Sequence, residues 1–324
     1  MTSRRERREW EAVVSQTVEQ SAAVYPYRVF DVEVLRSARL SPSFVRITFA
    51  GADLDSFADL GFDQRIKLAL PLPDAGLDNL PSGPDWYMRW RELPEQQRNP
   101  VRTYTVRAVR QAAREVDVDF VLHGDCGSAS RWAGAARPGA RAAIVGPDAR
   151  YHGDHGGADF RLPPRGRAFL LAGDETAVPA IAGILERLPG DAHGDVLLEV
   201  PESADKLALE CPPGMRITWL GRDGAEHGSL LIPALRTVAA RTLDGSTARP
   251  AVGVLDEPDV DTELLWDVPD PRGVPERAGL YAWLAGEAGV IKTLRRYLVS
   301  ELGLDRRSVA FMGYWRLGRS ELLG

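Results

Sequence analysis

Three stretches of this 324-residue chain combine residue types and spacing that suit a large anionic ligand. The first is RTYTVR, residues 102 to 107. Strand alternation puts Arg102, Tyr104 and Val106 on one face and Thr103, Thr105 and Arg107 on the other. Tyr104 offers an aromatic plane with a hydroxyl, and Arg102 a planar fork of donors that matches phosphate. Taken alone, the stretch reads rather as an edge strand with solvated arginines. The second is HGDCGSASRWA, which follows a strand and opens a helix. Amides at a helix N-terminus lack intrahelical partners and carry the positive end of the dipole, so Gly127, Ser128, Ala129 and Ser130 suit a pyrophosphate. An ordinary serine-capped helix with Trp132 in the core reads the same way. In the third, LLAGDETAVPAI, an apolar strand stops at Gly173 and Thr176 precedes a helix containing Pro179. Its free amides could receive a dinucleotide, although Pro179 contributes none. Asp174 and Glu175 suit the helix dipole but repel phosphate, which fits capping, and the Gly-x-Gly-x-x-Gly fingerprint is absent.

The elements that must position these groups fall into two halves. From Tyr27, five segments alternate with period 2 between Gly, Pro and Asp clusters: YRVFDVEVLRSARL, FVRITFAG, QRIKLALP, RTYTVRAVR and EVDVDFVLHG. With RAAIVGP they supply six strands for a small antiparallel barrel. The stretch from Asp74 to Asn99, rich in Pro, Trp and charge, breaks the rhythm as a long insertion or lid-like loop. Beyond PPRG at 163 to 166, continuous apolar strands alternate with helices: AFLLAGD, AVPAIAGILERL, DVLLEVP, MRITWLG, EHGSLLIPALRTVA, GLYAWLAGE, EAGVIKTLRRYLVSEL and SVAFMGYW. That pattern predicts a doubly wound parallel sheet. The expected division is an arm over 1–24, a barrel domain over 25–162 and an α/β domain over 163–324. An acidic, proline-rich insertion interrupts the last of these at about 240–278.

Composition narrows the function. An apolar content of 44% supports packed cores, and the length suits about two domains at roughly 150 residues each. Forty basic against 46 acidic residues give a net charge of -6, which argues against a nucleic-acid surface. No signal-peptide core or membrane-length apolar run is evident, so the protein is expected in the cytoplasm without stable membrane association. Cys126 and Cys211 are too few and too isolated for a metal quartet and read as free thiols. HGDH, with His152 and His155, and nearby His123 lack the accompaniment of a metal site. Oligomeric state is open.

RTYTVR, GSASRWA, LLAGDETAVPAI, WLAGE and GYWRLG, in that order, resemble the siderophore-interacting protein family of ferric-siderophore reductases, over about Tyr27 to Gly318. The resemblance implies a ferredoxin-NADP reductase-like fold: a flavin-binding barrel ahead of a nicotinamide-binding domain. It assigns Arg102, Tyr104 and Thr105, and less directly Arg107, to the isoalloxazine and phosphate side of FAD, and Gly127 to Ser130 to its pyrophosphate. Gly173, Thr176, Ala285, Gly286 and Glu287 fall on the nicotinamide side, although WLAGE alone is no more than a strand, a turn and a helix start. For the adenosine end, Arg222 suits a 2′-phosphate, whereas Glu202 or Asp205 suits a ribose hydroxyl. The resemblance favours NADPH over NADH. A ferric siderophore, bulky and often anionic, needs an open basic site, for which Lys67, Arg131 and Arg316 are candidates, with Arg319 behind them. The implied chemistry carries electrons from NAD(P)H through FAD to ferric iron and demands no catalytic side chain. Competing readings are an NAD(P)H oxidoreductase with another acceptor and a non-catalytic ferric-siderophore carrier or sensor.

Overall fold

The computed structural model describes residues 23–122, 127–163, 168–244, 265–269 and 279–318. Most of the arm, His123, Cys126, Arg319 and most of the 240–278 stretch lie outside them.

Alternation along the first strands builds a closed barrel. In β1 (Tyr27–Arg39), Phe30, Val32 and Val34 are buried while Asp31 and Glu33 are exposed. β2 (Phe44–Ala50), β3 (Arg65–Ala69), β4 (Val101–Arg110), β5 (Glu115–Val121) and β6 (Arg141–Pro147) complete the order β1-β2-β5-β4-β3-β6, antiparallel throughout. The Asp74–Asn99 stretch is an insertion but not a free lid. It carries α1 (Trp86–Glu92), whose Trp86 and Trp90 pack with Ala69, Val101 and Val145. Trp90 Nε1 donates to the Asn99 carbonyl at 3.0 Å, and Asn99 Nδ2 donates to the carbonyls of Leu70 and Gly76 at 2.9 and 2.7 Å. Burying two indoles anchors the segment far more firmly than polar loop contacts can. After β5, α2 (Ser128–Ala135) packs on the barrel core through Ala129, Trp132 and Ala133.

The second lobe is a six-stranded sheet in the order β10-β12-β11-β7-β8-β9. β7 (Ala168–Gly173), β8 (His193–Val200), β9 (Gly214–Gly221), β11 (Leu280–Glu287) and β12 (Val309–Trp315) run parallel. Because both faces are covered, successive residues divide between two cores. Leu171, Val196, Leu198, Trp283 and Met312 join α3 (Val178–Leu185). Leu170, Leu197, Leu284 and Phe311 join α4 (Leu231–Asp244) and α5 (Ala288–Arg295). The sheet is mixed rather than purely parallel, because β10 (Trp266–Asp267) pairs antiparallel with β12. Helix α4 also continues past residue 240, where the insertion was expected to begin.

Polar seams hold the lobes together. Asp63 is fully buried and accepts from the amides of Asp159 and Phe160 at 3.0 and 2.9 Å. Arg65 pairs with Asp159 at 2.7 Å, its guanidinium 4.6 Å from the Trp266 ring centre. Trp266 Nε1 donates to the same carboxylate at 2.9 Å. Helix α3 lies so close to the barrel that a methyl at Gly183 would stand 2.4 Å from the Phe62 carbonyl oxygen.

Candidate flavin and nicotinamide site

An aromatic row joins the two stretches of the barrel that sequence reasoning picked out. Register pairs Ile66 with Tyr104 and Leu68 with Arg102, so Tyr104 and Arg102 share the inward face of β4 with Val106. The Tyr104 ring centre lies 4.4 Å from that of Phe120, and Phe120 lies 6.2 Å from Trp132 of α2. Trp132 stacks on Phe49 at 6.1 Å with 8° between planes. The row fixes α2, and with it the first-turn amides, relative to Tyr104. At the start of that helix Gly127 has φ +88°, a left-handed conformation that disfavours any side chain, and nothing lies within 4 Å of where its Cβ would be. Ser128 Oγ is buried without a hydrogen-bond partner. A buried hydroxyl left unpartnered costs free energy unless a ligand completes it. Ala129 and Ser130 are buried beside it. An orphaned hydroxyl and an open glycine at a helix start fit a pyrophosphate.

On the outward face of β4, Thr105 is buried opposite Arg65, and Lys67 Nζ donates to Thr103 Oγ1 at 2.8 Å. Arg107 reaches the other lobe, where both terminal nitrogens donate to Glu186. In this arrangement it ties the two lobes.

The second group assembles at the C-terminal ends of the parallel strands, the edge where open α/β sheets take ligands. Its centre is Asp174, 4% exposed. Asp174 Oδ1 accepts from the Thr176 amide at 2.9 Å and Thr176 Oγ1 at 2.5 Å; Oδ2 accepts from the Glu287 amide at 2.7 Å and Trp315 Nε1 at 2.8 Å. Burial, then the charge of Glu175, raises its pKa to about 7 against the hydrogen bonds that favour the carboxylate. Gly173 and Gly286 permit this closeness. A Cβ at Gly173 would meet the Ala285 carbonyl oxygen at 2.4 Å, and one at Gly286, where φ is +150°, the Asp174 carboxylate at 2.7 Å. Ala285 is fully buried, and Glu287 caps α5 by accepting from the Val290 amide at 2.9 Å.

Arg222, the candidate 2′-phosphate partner, is engaged by two carboxylates of its own chain. It is 8% exposed and donates to both oxygens of Glu175 at 2.7 and 2.8 Å and to Glu199 at 3.3 Å. Glu199 in turn accepts from the amides of Gly228, Leu230 and Leu231, capping the start of α4. Asp205, fully buried, accepts from Ser41 Oγ, the Ser43 amide and the Glu202 amide at 2.7, 2.7 and 3.0 Å, so it fastens the lobes rather than presenting a free oxygen to a ribose. Ligand atoms of Asp174, Glu175 and His227 lie within 4.8 Å of one another. The carboxylate oxygens already serve Thr176, Glu287, Trp315 and Arg222, which makes this a hydrogen-bond network rather than a metal centre. Arg131 is exposed on α2, and Arg316 is half-buried just after β12. Lys67 is exposed on the barrel's outer face. Sequence reasoning missed the roles of Glu199, His227 and Trp315; the Trp in GYWRLG was the available signal for the last.

A closed barrel docked on a parallel-rich sheet is the two-lobe architecture of ferredoxin-reductase-like flavoproteins. Residues 33–151 match the model of the siderophore-interacting FAD-binding domain and residues 166–318 that of the siderophore-interacting protein domain. The chain belongs to the siderophore-interacting protein family, and FAD is its cofactor. It is 31% identical over 298 residues to the ferric vibriobactin reductase ViuB of Vibrio cholerae, covering 92% of each chain. It is 33% identical over 224 residues to the NADPH-dependent ferric-chelate reductase of Escherichia coli, covering 65% of this chain and 82% of that one. The crystal structure of a siderophore utilization protein from T. fusca is similar at 29% identity and a TM-score of 0.64, covering 93% of this chain and 97% of the other. No described helix is long and apolar enough to cross a membrane.

Proposed function

We propose that this protein is an NADPH-dependent ferric-siderophore reductase. The observation that carries the reading is the unpartnered Ser128 Oγ beside Gly127, at the start of the helix whose Trp132 continues the aromatic row through Phe120 to Tyr104. Bound FAD supplies the redox chemistry, accepting an electron pair and passing electrons singly to an external acceptor. Arg102 supplies charge-assisted hydrogen bonds to phosphate, Tyr104 a ring face, Thr105, whose side chain points to the other face of β4, only its backbone, and the amides of Gly127 to Ser130 the pyrophosphate cradle. Gly173, Thr176 and Ala285 to Glu287 form the wall of the nicotinamide pocket at the strand ends, and NADPH is the preferred donor by analogy with the ferric-chelate reductase relative. Lys67, Arg131 and Arg316 provide positive charge toward an anionic ferric chelate, which is the substrate. Reduction favours release because hard anionic oxygen ligands hold ferric iron much more strongly than ferrous. The cytoplasm is the setting that supplies the donor.

The test is spectroscopic. The purified protein is expected to show flavin absorbance, to bleach anaerobically with NADPH faster than with NADH, and to recover colour on adding a ferric siderophore while a ferrous chelator reports iron release. A protein that neither contains nor takes up flavin removes the reading.

A further inference from the structure

Trp315 is the last residue of β12, and its indole is held twice: Nε1 donates to Asp174 at 2.8 Å, and the ring meets His227 edge to face at 4.9 Å. Asp174 follows β7, and its carboxylate also binds the amide of Glu287 at the end of β11. One side chain therefore ties together the C-terminal ends of three neighbouring parallel strands, β7, β11 and β12. The absence of a side chain at Gly286 leaves room for the carboxylate, since any Cβ there would collide with it. A mid-strand tie would serve the fold alone; this one lies at the sheet edge where the nucleotide is proposed to bind.

We infer that Asp174 is a positioning residue for the reductase site, holding the Trp315 indole and the Gly286–Glu287 turn in the arrangement that receives the nicotinamide nucleotide. The inference rests on the reductase reading. All four acceptor positions of the carboxylate are taken by donors, so protonation converts one from acceptor to donor and releases one of its partners. The Thr176 hydroxyl can turn to accept a proton on Oδ1 and the amides of Thr176 and Glu287 are fixed in backbone, so the Trp315 indole, a donor only and carried on a side chain, is the partner that a proton on Oδ2 displaces. The charged and titratable groups around Asp174 are Glu175 beside it, Arg222 and Glu199 behind Glu175, Glu287 on the neighbouring turn, and His227 against the indole. With the Asp174 pKa raised to about 7, the tether holds above neutrality and loosens below it.

The test compares wild type with Trp315→Phe, Asp174→Asn and His227→Asn in the flavin-loaded protein, by tryptophan fluorescence from pH 5 to 9 and by anaerobic flavin reduction across NADPH concentrations. Wild type is expected to show a fluorescence transition centred near pH 7, absent from Trp315→Phe and Asp174→Asn and retained in His227→Asn. Half-saturation by NADPH is expected to rise roughly tenfold in Trp315→Phe at pH 8, with the limiting reduction rate changed much less. Trp315→Phe keeps an aromatic ring at the strand end and the other three bonds to Asp174, so it separates positioning from folding if Asp174→Asn fails to fold. A Trp315→Phe protein with the wild-type transition and half-saturation overturns the inference, as does loss of the transition in His227→Asn. If NADPH fails to reduce wild type, the reductase reading falls and the fluorescence comparison still decides whether Asp174 holds Trp315.

Discussion

The two lobes treat helix N-termini in opposite ways. In the barrel lobe, α2 begins at a glycine with open space around it and a buried serine hydroxyl without a partner. In the sheet lobe, the chain's own carboxylates occupy the corresponding positions. Asp174 caps the turn Glu175–Ala177 leading into α3, Glu199 caps α4 and Glu287 caps α5. A helix start left open attracts anions, and one already holding a carboxylate repels them. The comparison teaches that a resident dinucleotide and a passing one place different demands on the same device. FAD needs a cradle prepared to keep it, whereas a donor that must leave after each turnover is better served by an edge offering shape without strong phosphate affinity.

The sharpest way to break this contrast is to disturb the buried charges behind the self-capped edge. Arg222→Met is expected to cost about 3–5 kcal/mol of stability, because Glu175 and Glu199 are left uncompensated in the interior; chemical denaturation measures it, and a cost under 1 kcal/mol contradicts the buried-pair account. On the barrel side, Arg102→Ala is expected to weaken FAD by about 2 kcal/mol, roughly thirtyfold, read from flavin retained after dialysis; Tyr104→Ala is expected to lose flavin as well, and full wild-type occupancy in both variants removes the assignment. Stability also carries a pH signature from Asp174. Its folded pKa of about 7 lies above the ordinary 3.8, so the native protein holds a proton that the unfolded chain releases between those values. The resulting stabilisation is full below about pH 4 and is lost as pH rises through 7. Because asparagine is neutral like the protonated acid, thermal melts of wild type against Asp174→Asn are expected to lie together at the lower end of that window and to part toward the upper end, where wild type ionises and loses stability. The smallest effect is expected at the rim of the lobe junction, where Arg187 and Asp59 pair at 2.8 Å with both side chains more than 40% exposed. Arg187→Ala is expected to change stability by about 0.5 kcal/mol, an amount that high salt removes.

Much of this was legible in the chain itself. Period-2 alternation in YRVFDVEV and RTYTVRAVR gave the barrel strands, and the continuous apolar runs AFLLAG and LYAWLAGE gave the buried parallel ones, because both patterns record which faces meet solvent. Asp174 as a capping residue also followed from local chemistry. Roles set by distant partners did not. Arg222 at a strand end looks the same in sequence whether it meets a phosphate or Glu175, and that partner is 47 residues away. Arg107 finds Glu186 at a separation of 79 residues, and Asp205 finds Ser41 at 164. A charged side chain's role depends on burial and on its neighbour's sign, and neither has a local signature. The Trp-rich insertion misled for a related reason: its prolines and charges mark a loop, while the surface that Trp86 and Trp90 cover belongs to strands before and after it.

Gly183 carries a consequence for how the molecule can be taken apart. With helix and barrel separated by less than the width of a methyl group at that point, each half finishes the other's surface. Phe44, Phe62 and Phe160 pack in one apolar cluster with α3, so either half expressed alone would bare apolar surface to water, and clumping is the expected fate of such a fragment. Evolution or an engineer wishing to swap one half for a cousin's must therefore transplant the matching seam along with it.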